Sequence, residues 1–523
     1  MRTGLAGHEQ PRKLVVVGQG YVGLPLAVAA VDAGYHVLGI DIDRARVRRL
    51  RRGESYVDDI PDSRLRDALD TGRYLVGTDH TGAAGFTAAV IAVPTPLRDG
   101  CPDLSLVAQA GRDLAPHLTR GSLVVLESTT YPGTTEDLLR PILEQGSGLT
   151  AGEDFALGYS PERIDPGNAT WTLASTPKVV AGIDAASLAG VEEFYRKLVA
   201  DVVPVSCTRA AELTKLLENT FRHVNIALVN EFALFARELG VDIWEVVQAA
   251  SSKPFGFMPF YPGPGVGGHC LPVDPTYLSW HVQRATGQRF RFIELANDIN
   301  EHMPDYVVRR VIEGLNRAGK AVSDSVVLLL GCAYKKNSSD AREVPASRVA
   351  QLLASLGASL GVVDEHVAVL PCGAEATRVE LTAEAVRAAD AVVLLTDHDD
   401  VDYPLVQREA SWILDCRNRL SGANVESLWG WAPRWGGGDG VRHRQHQRRG
   451  LRTYGSQPGG SYDSEGPGPA GSGSAASIFA APANRVPRFG SILGTELRVR
   501  WDQRPWVIWR PRGRKGRVPE RIR

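Results

Sequence analysis

The sequence has no Cys-x-x-Cys pair and no histidine pair at zinc-ligand spacing. Its six cysteines, Cys101, Cys207, Cys270, Cys332, Cys372 and Cys416, lie scattered along 523 residues. That excludes a disulfide framework and points to a reducing compartment, where a functional thiol is catalytic rather than bridging. There is no apolar run of the roughly 18 residues that a membrane-crossing helix needs. The stretch Met1 to Lys13 has no apolar signal core. Neither charge dominates, with 59 basic against 60 acidic side chains, so total charge argues for neither nucleic acid nor membrane as a partner. These absences together predict a soluble, cytoplasmic protein.

What is present is length enough for three or four domains at roughly 100–200 residues each. The charge balance also hides an asymmetry. From Trp431 onward there are 18 Lys and Arg against 6 Asp and Glu, leaving 41 against 54 in the preceding residues. This last stretch, 431–523, is rich in Gly, Ser, Pro and Arg and has no hydrophobic period, which predicts a disordered basic tail. A nucleic-acid or acidic-lipid arm and a shifted reading frame are the alternatives; nucleic acid is not the expected partner.

Ahead of the tail the pattern is α/β. Lys13 to Val17 is a short apolar strand, Leu24 to Ala33 reads as a helix, and Val37 to Ile40 as a second strand ending at Asp41. Further strand-like runs up to Val205 predict a doubly wound, Rossmann-like domain over 11–205. Thr208 to Leu239 then reads as one long helix of about 45 Å at 1.5 Å per residue. With helices at Asp242–Ser252 and Ile293–Arg317, it makes 206–319 a central helical domain interrupted by a Gly/Pro-rich loop from Lys253 to Pro275. Strand and helix alternate again over 320–430, which predicts a second Rossmann-like domain.

Between the first strand and helix stands Gly18-Gln19-Gly20-Tyr21-Val22-Gly23, with Asp41 eighteen residues after Gly23. In that context the glycines let the backbone turn tightly and approach a pyrophosphate at the helix N-terminus. Asp41 would accept hydrogen bonds from an adenosine ribose and repel a 2′-phosphate, so NAD is expected rather than NADP. The ordinary alternative is a glycine turn that merely packs helix on strand.

The loop Gly263-Pro264-Gly265-Val266-Gly267-Gly268-His269-Cys270-Leu271-Pro272-Val273-Asp274 is the second focus. Its glycines would allow close backbone approach to a substrate, and the Cys270 thiolate can attack a carbonyl carbon if a nearby charge or base activates it. A buried structural cysteine is the alternative, and a hydrolase using the adjacent His269 is a third.

Read with their neighbours, these segments resemble the UDP-glucose/GDP-mannose dehydrogenase family, the nucleotide-sugar 6-dehydrogenases. The resemblance runs from about residue 12 to 428 through VVVGQGYVGLPLA (Val15–Ala27), VPTP (Val93–Pro96), ESTTYPGTT (Glu127–Thr135) and YSPERIDPG (Tyr159–Gly167). It continues through AELTKLLENTFRHVNIALVNE (Ala211–Glu231), PGPGVGGHCLPVDP (Pro262–Pro275) and GCAYKKNSSDAREVPA (Gly331–Ala346).

It implies a four-electron oxidation of a sugar C6 hydroxyl by two NAD+, with Cys270 holding the aldehyde as a thiohemiacetal and then a thioester. Lys215 and Asn219, one helical turn apart, would stabilise the oxyanion and order a water. Glu162 would act as general base in thioester hydrolysis, with Asp274 and Thr129 orienting the water. For all five, a solvated helix face or an ordinary cap or turn is the alternative. Arg46, Thr95, Thr129 and Arg342 would border the cofactor beside Gly18, Gly20, Val22, Gly23 and Asp41. Arg163, Lys215, Asn219, Gly267 and Lys335 would meet the sugar nucleotide, and no metal is implied. The long helix would carry a homodimer or higher homo-oligomer.

The GPGVGGHC form and the KPFGFMPFYPG segment at Lys253–Gly263 resemble the branch acting on UDP-N-acetylhexosamines, within it the UDP-N-acetylglucosamine 6-dehydrogenases. UDP-ManNAc and UDP-glucose remain as alternatives. So does a non-catalytic nucleotide-sugar binder, although Cys270, Lys215 and Asn219 are all present. An epimerase would need a Tyr-x-x-x-Lys pair in a matching context, and the sequence shows none.

Overall fold

Leu14 to Val17 are all buried, as a strand covered on both faces requires, and they form the centre of the first sheet. The computed structural model describes residues 12–165, 168, 170–268 and 270–430, apart from the side chains of Cys270 and Ala374. The tail expected to be disordered, 431–523, lies outside the described residues, as do His269, Pro166 and Gly167. The described residues all belong to one compact unit.

In chain order the first strands are β1 (Lys13–Val17), β2 (His36–Ile40), β3 (Tyr74–Gly77), β4 (Ala88–Ile91), a ribbon of β5 (Leu97–Arg98) and β6 (Cys101–Pro102), β7 (Leu123–Leu126), β8 (Ala156–Tyr159), β9 (Lys178–Gly182) and β10 (Val202–Pro204). Apart from the ribbon they make one sheet in the order β10-β9-β8-β7-β4-β1-β2-β3. Side chains alternate into two separate cores, Leu14 and Val16 on one face, Val15 and Val17 on the other. The order reverses between β1 and β4, so the ligand crevice falls at the carboxyl ends of those strands.

One pairing departs from the parallel expectation. β9 runs antiparallel to β8, with Tyr159 opposite Ala181. The reversal brings the first residue of β9, Lys178, to the edge where β7 and β8 end.

The middle of the chain is helical: Thr208–Glu238, Ile243–Ser251, Cys270–Thr286 and Arg291–Arg317. The third helix corrects the expectation of a loop reaching Pro275. Pro272 falls within the first turn, where an N–H has no intrahelical partner, and Pro275 forfeits one early bond. The prolines and the glycines before them masked a helix that begins at Cys270 itself.

The long helix is amphipathic in the reverse sense to a solvent-facing one. Glu212, Lys215, Asn219, His223 and Asn230 are buried, whereas Leu217, Phe221, Leu228, Phe232 and Phe235 are exposed.

The second sheet holds β11 (Val326–Leu330), β12 (Ser359–Val363), β13 (Ala376–Arg378), β14 (Ala391–Leu394), β15 (Ile413–Asp415) and β16 (Val425–Ser427), all parallel, in the order β13-β12-β11-β14-β15-β16. It repeats the opening geometry of the first. Gly18 after β1 donates to Ile40 O at 2.7 Å, and Gly331 after β11 donates to Val363 O at 2.9 Å. Both have positive φ, +94° and +77°, and a Cβ on either would stand 2.3 Å from a backbone oxygen.

Beyond that point the sheets diverge. Gly331 is followed by Cys332, Ala333 and Tyr334, with no second glycine. Asp364, placed after β12 as Asp41 is after β2, is filled from within. Its Oδ2 accepts from Cys332 N (2.7 Å), Ala333 N (3.1 Å) and His398 Nε2 (3.2 Å), and its Oδ1 from His366 N and Val367 N. Burial opposes ionisation there, yet His398 and these N–H groups hold the carboxyl well below its usual range. Among the described residues no helix is long and apolar enough to cross a membrane.

Candidate functional site

The three glycines of the first turn answer to three different constraints. Gly18 is forced by its φ and by Ala92 O. At Gly23 a Cβ would lie 1.8 Å from Gly18 O, which only a bare backbone permits. At Gly20 nothing lies within 4 Å of the Cβ position. Internal packing therefore explains Gly18 and Gly23 but leaves a space over Gly20, at the mouth of the helix that Val22 caps.

Asp41 closes the turn. Its Oδ2 accepts from Gln19 N and from Arg46 Nη1, both at 3.0 Å. Its Oδ1 accepts the N–H of Asp43 at 2.9 Å, and a carboxylate oxygen has room for a second donor. Arg46 lies 5.2 Å over the ring of Tyr56, whose hydroxyl donates to Gln19 O.

The segments after β4 and β7 are tied together: Thr95 Oγ1 donates to Thr129 O at 2.8 Å. Tyr277, two turns along the helix that Cys270 opens, donates to Thr95 O and to Pro96 O. The cysteine helix is thus bolted to the loop bordering the cofactor crevice.

On the long helix, Glu212, Lys215 and Asn219 share a face. Glu212 accepts Thr135 N (2.9 Å), Thr135 Oγ1 (2.7 Å) and Gly133 N (2.5 Å), fixing the loop after β7; burial pushes its carboxyl up to about 7. Asn219 donates to Asp274, which lies one turn beyond Cys270. Burial pushes Asp274 up to about 6, although the Lys215 ammonium and the Asn219 hydrogen bond pull the other way.

Residues 162–165 send charged side chains in three directions. Glu162 Oε1 accepts the backbone N–H groups of Arg163 and Ile164, both at 2.6 Å, and its Oε2 accepts Lys178 Nζ at 3.2 Å. Burial works against ionisation, but Lys178, the Ile164 N–H and Lys215 together hold Glu162 below the usual carboxylate range. Arg163 pairs with Glu218 on the long helix at 2.7 Å. Asp165 pairs with Lys335 from the second sheet's domain, also at 2.7 Å.

The glycine-rich loop is close-packed for a reason the sequence did not reveal. A Cβ on Gly267 would stand 2.9 Å from Glu343 O and 3.0 Å from Tyr334 Cβ. Gly268 N donates to Arg342 O at 3.0 Å. Close backbone approach here is to the segment after β11. That same segment sets the Arg342 guanidinium 5.3 Å over the ring of Tyr21, inside the glycine turn. The structure therefore groups Gly18, Gly20, Val22, Gly23, Asp41, Arg46 and Arg342 in one place and Lys215, Asn219 and Asp274 in another. Thr95 and Thr129 lie together, and Lys335 is ion-paired.

Sequence reasoning missed Tyr277, Arg417 and the Lys178–Glu127 pair. Arg417 places Nη1 3.2 Å from the Cβ position of Gly263 and donates from Nε to Leu395 O. Lys178, a cation opening an otherwise apolar strand, was the available signal for the last pair. His366, His398 and Asp400 have metal-like spacing, but both ring nitrogens of His398 are engaged, by Asn337 N–H and by Asp364.

Models of known families match the chain in three consecutive pieces. These are the NAD binding domain of the UDP-glucose/GDP-mannose dehydrogenase family over residues 12–199, its central domain over 209–302 and its UDP binding domain over 328–422. The chain belongs to the UDP-glucose/GDP-mannose dehydrogenase family. It is a nucleotide-sugar dehydrogenase, an oxidoreductase.

Among the relatives of this dehydrogenase is the UDP-N-acetyl-D-mannosamine dehydrogenase of Pyrococcus horikoshii, 35% identical over 389 residues, covering 74% of this chain and 90% of the relative. The NDP-N-acetyl-D-galactosaminuronic acid dehydrogenase of Ralstonia nicotianae is 36% identical, covering 74% and 91%. The solved structure of UDP-D-ManNAc dehydrogenase from Pyrococcus horikoshii matches with a TM-score of 0.72 at 33% identity, over 78% of this chain and 96% of that one.

The NAD binding domain fits its cofactor on the geometry above. The space over Gly20 suits a pyrophosphate, and Asp41 retains acceptor capacity for a ribose. Asp41→Ala in this dehydrogenase is expected to raise the KM for NAD+ roughly ten- to hundredfold, the worth of a charge-assisted hydrogen bond of about 1.5–3 kcal/mol. It should also narrow the preference over NADP+, measured by initial rates with each dinucleotide.

Proposed function

We propose that this enzyme oxidises the C6 hydroxyl of a UDP-N-acetylhexosamine to the carboxylate through a covalent intermediate on Cys270. The observation that carries the reading is the buried Lys215–Asn219–Asp274 cluster, with Asp274 one turn from Cys270 on a shared helix. A cation, an amide donor and a carboxylate that titrates near neutrality are what an aldehyde oxidation and a hydrolysis require. UDP-ManNAc is the sugar to try first. The names of the relatives favour it, or an N-acetylgalactosamine-type sugar, over the UDP-GlcNAc suggested by the Phe-Gly-Phe segment.

NAD+ at the glycine turn supplies the hydride acceptor for both oxidations. Cys270 stands at a helix N-terminus, which favours its thiolate. It adds to the aldehyde carbon as a thiohemiacetal, whose oxidation leaves a thioester that water cleaves to the acid and the free thiol. Lys215 and Asn219 stabilise the oxyanion at each tetrahedral stage. The two carboxylates divide the remaining work. Asp274 is the group that exchanges a proton near pH 6, whereas Glu162 stays charged and, with Thr129, orders the hydrolytic water. Arg163 and Lys335 line the approach of the sugar nucleotide. A free thiolate nucleophile fits a reducing compartment such as the cytoplasm.

The exposed apolar stripe of the long helix, Leu217 to Phe235, fits a second copy of the chain, since a buried polar face leaves the apolar one to be covered.

The deciding experiment follows NADH at 340 nm with UDP-ManNAc, UDP-GlcNAc and UDP-glucose. Two NADH per sugar are expected, with turnover lost in Cys270→Ala; one NADH per sugar would sink the thioester. kcat/KM is expected to rise with pH through about 6 as Asp274 deprotonates, and Asp274→Asn should abolish that limb along with most of the activity. Light scattering should give a dimer or a multiple of one, and Phe232→Glu a smaller species; a monomeric wild type would refute the interface.

A further inference from the structure

Behind Glu162 lies a row of ionisable groups to which the reaction as described assigns no part. Lys178 Nζ stands 2.7 Å from Glu127 Oε1 and 3.2 Å from Glu162 Oε2, so one lysine bridges two carboxylates. The side chains of Glu127 and Lys178 are 0% and 3% exposed. Tyr195 adds a hydroxyl to Glu127 Oε1 at 2.7 Å, and its ring lies 5.4 Å from the ammonium. Glu127 Oε2, by contrast, is buried without a hydrogen-bond partner.

As a staple for the fold this is a poor device. Burying three charges incurs a desolvation cost that apolar side chains of similar volume avoid, and the orphaned oxygen adds to it. What the row does achieve is geometric. With two backbone N–H groups on one oxygen and Lys178 on the other, the Glu162 carboxylate is held in a single orientation. The strand reversal at β9 is what delivers the lysine there.

We propose that Lys178 is a positioning residue for the reaction: by bridging Glu127 and Glu162 it keeps the Glu162 carboxylate ionised and aimed at the hydrolytic water. The inference rests on the proposed reaction and adds to it the residue on which the hydrolysis half depends. The charged and titratable groups around Glu162 are Lys178 on β9, Glu127 at the end of β7, Tyr195 beyond it and Lys215 on the long helix; Arg163 beside it in sequence is turned to Glu218. Of the two lysines, Lys178 is the one hydrogen-bonded to Glu162. Taking it away leaves Lys215 as the remaining cation facing that carboxylate, frees Oε2 to turn from its fixed orientation, and raises the carboxylate's affinity for a proton.

The test compares Lys178→Met and Lys178→Arg with wild type by rapid mixing, pH–rate profiles and intact-protein mass. Wild type must first give two NADH per sugar, which tests the reaction itself; without NADH both readings fall. Given that, Lys178→Met should release its NADH in a burst and then turn over roughly tenfold more slowly, the scale of loss expected when the group that orders the attacking water is no longer held in place. The protein mass should show accumulated acyl-enzyme, and the acid limb should steepen as a second ionisation enters it. Lys178→Arg should restore the wild-type profile. If the methionine variant does not fold, Lys178→Gln, which keeps a donor without charge, is read in the same way. A variant of lower melting temperature with an unchanged pH profile and no acyl-enzyme would make Lys178 a structural residue and overturn the proposal.

Discussion

Everything at the centre of this enzyme hangs on the polar seam buried along the long helix Thr208–Glu238. Glu212 holds the loop after β7, Asn219 holds Asp274, His223 meets Asn297 at 2.7 Å, and Asn230 meets Asn300 and the N–H of Gly263. A single rigid element thereby sets the spacing of four segments far apart in sequence. Each of those polar groups would be costly to bury alone, so the seam is stable only when all the segments are in place. The same inversion pushes Phe232 and Phe235 outward. The interior arrangement and the demand for a covering surface are two sides of one helix.

The central helices share an apolar core with the second sheet's domain, Tyr306 stacking on Trp429, whereas the two sheet domains meet through short charged segments. Glu162, Arg163 and Asp165 reach β9, the long helix and the second sheet's domain in turn. Ser339 meets Asp58 across the same divide, and Arg342 reaches Tyr21. Asn337 and Glu343, near the ends of that bridging stretch, both adopt positive φ, 54° and 47°. Non-glycine residues hold such angles only where their surroundings over-determine them. Contacts of this kind form and break at low cost, which suits a crevice that substrate must enter.

What could be read from the sequence was local. The strand, glycine turn, helix and Asp41 fall within 30 residues, and the turn chemistry is written in the residues themselves, so that unit and the long helix were legible. The Cys270 helix was not, because Pro272, Pro275 and four glycines speak for a loop unless one knows that the first turn forgoes its N–H bonds in any case. Nor was the β8–β9 reversal, since an apolar run of five residues carries no direction. Tyr277 with Thr95 and Gly267 with Glu343 are unions across tens to hundreds of residues. A glycine kept bare for a neighbouring backbone looks the same in sequence as one kept bare for a substrate.

Asp364 has a consequence for timing. The second sheet reproduces the first as far as Gly331, then closes its own crevice: the aspartate is satisfied by four backbone N–H groups and His398, and the glycines that would admit a pyrophosphate are missing. Among the described residues one dinucleotide turn therefore serves the whole chain. In the proposed reaction, two successive oxidations of one sugar would share a single berth, and the spent dinucleotide would have to leave and be replaced between them. The half-oxidised sugar would have to outlast that changeover, and the covalent hold on sulfur proposed for it is a tether whose lifetime does not depend on how tightly the sugar itself is bound.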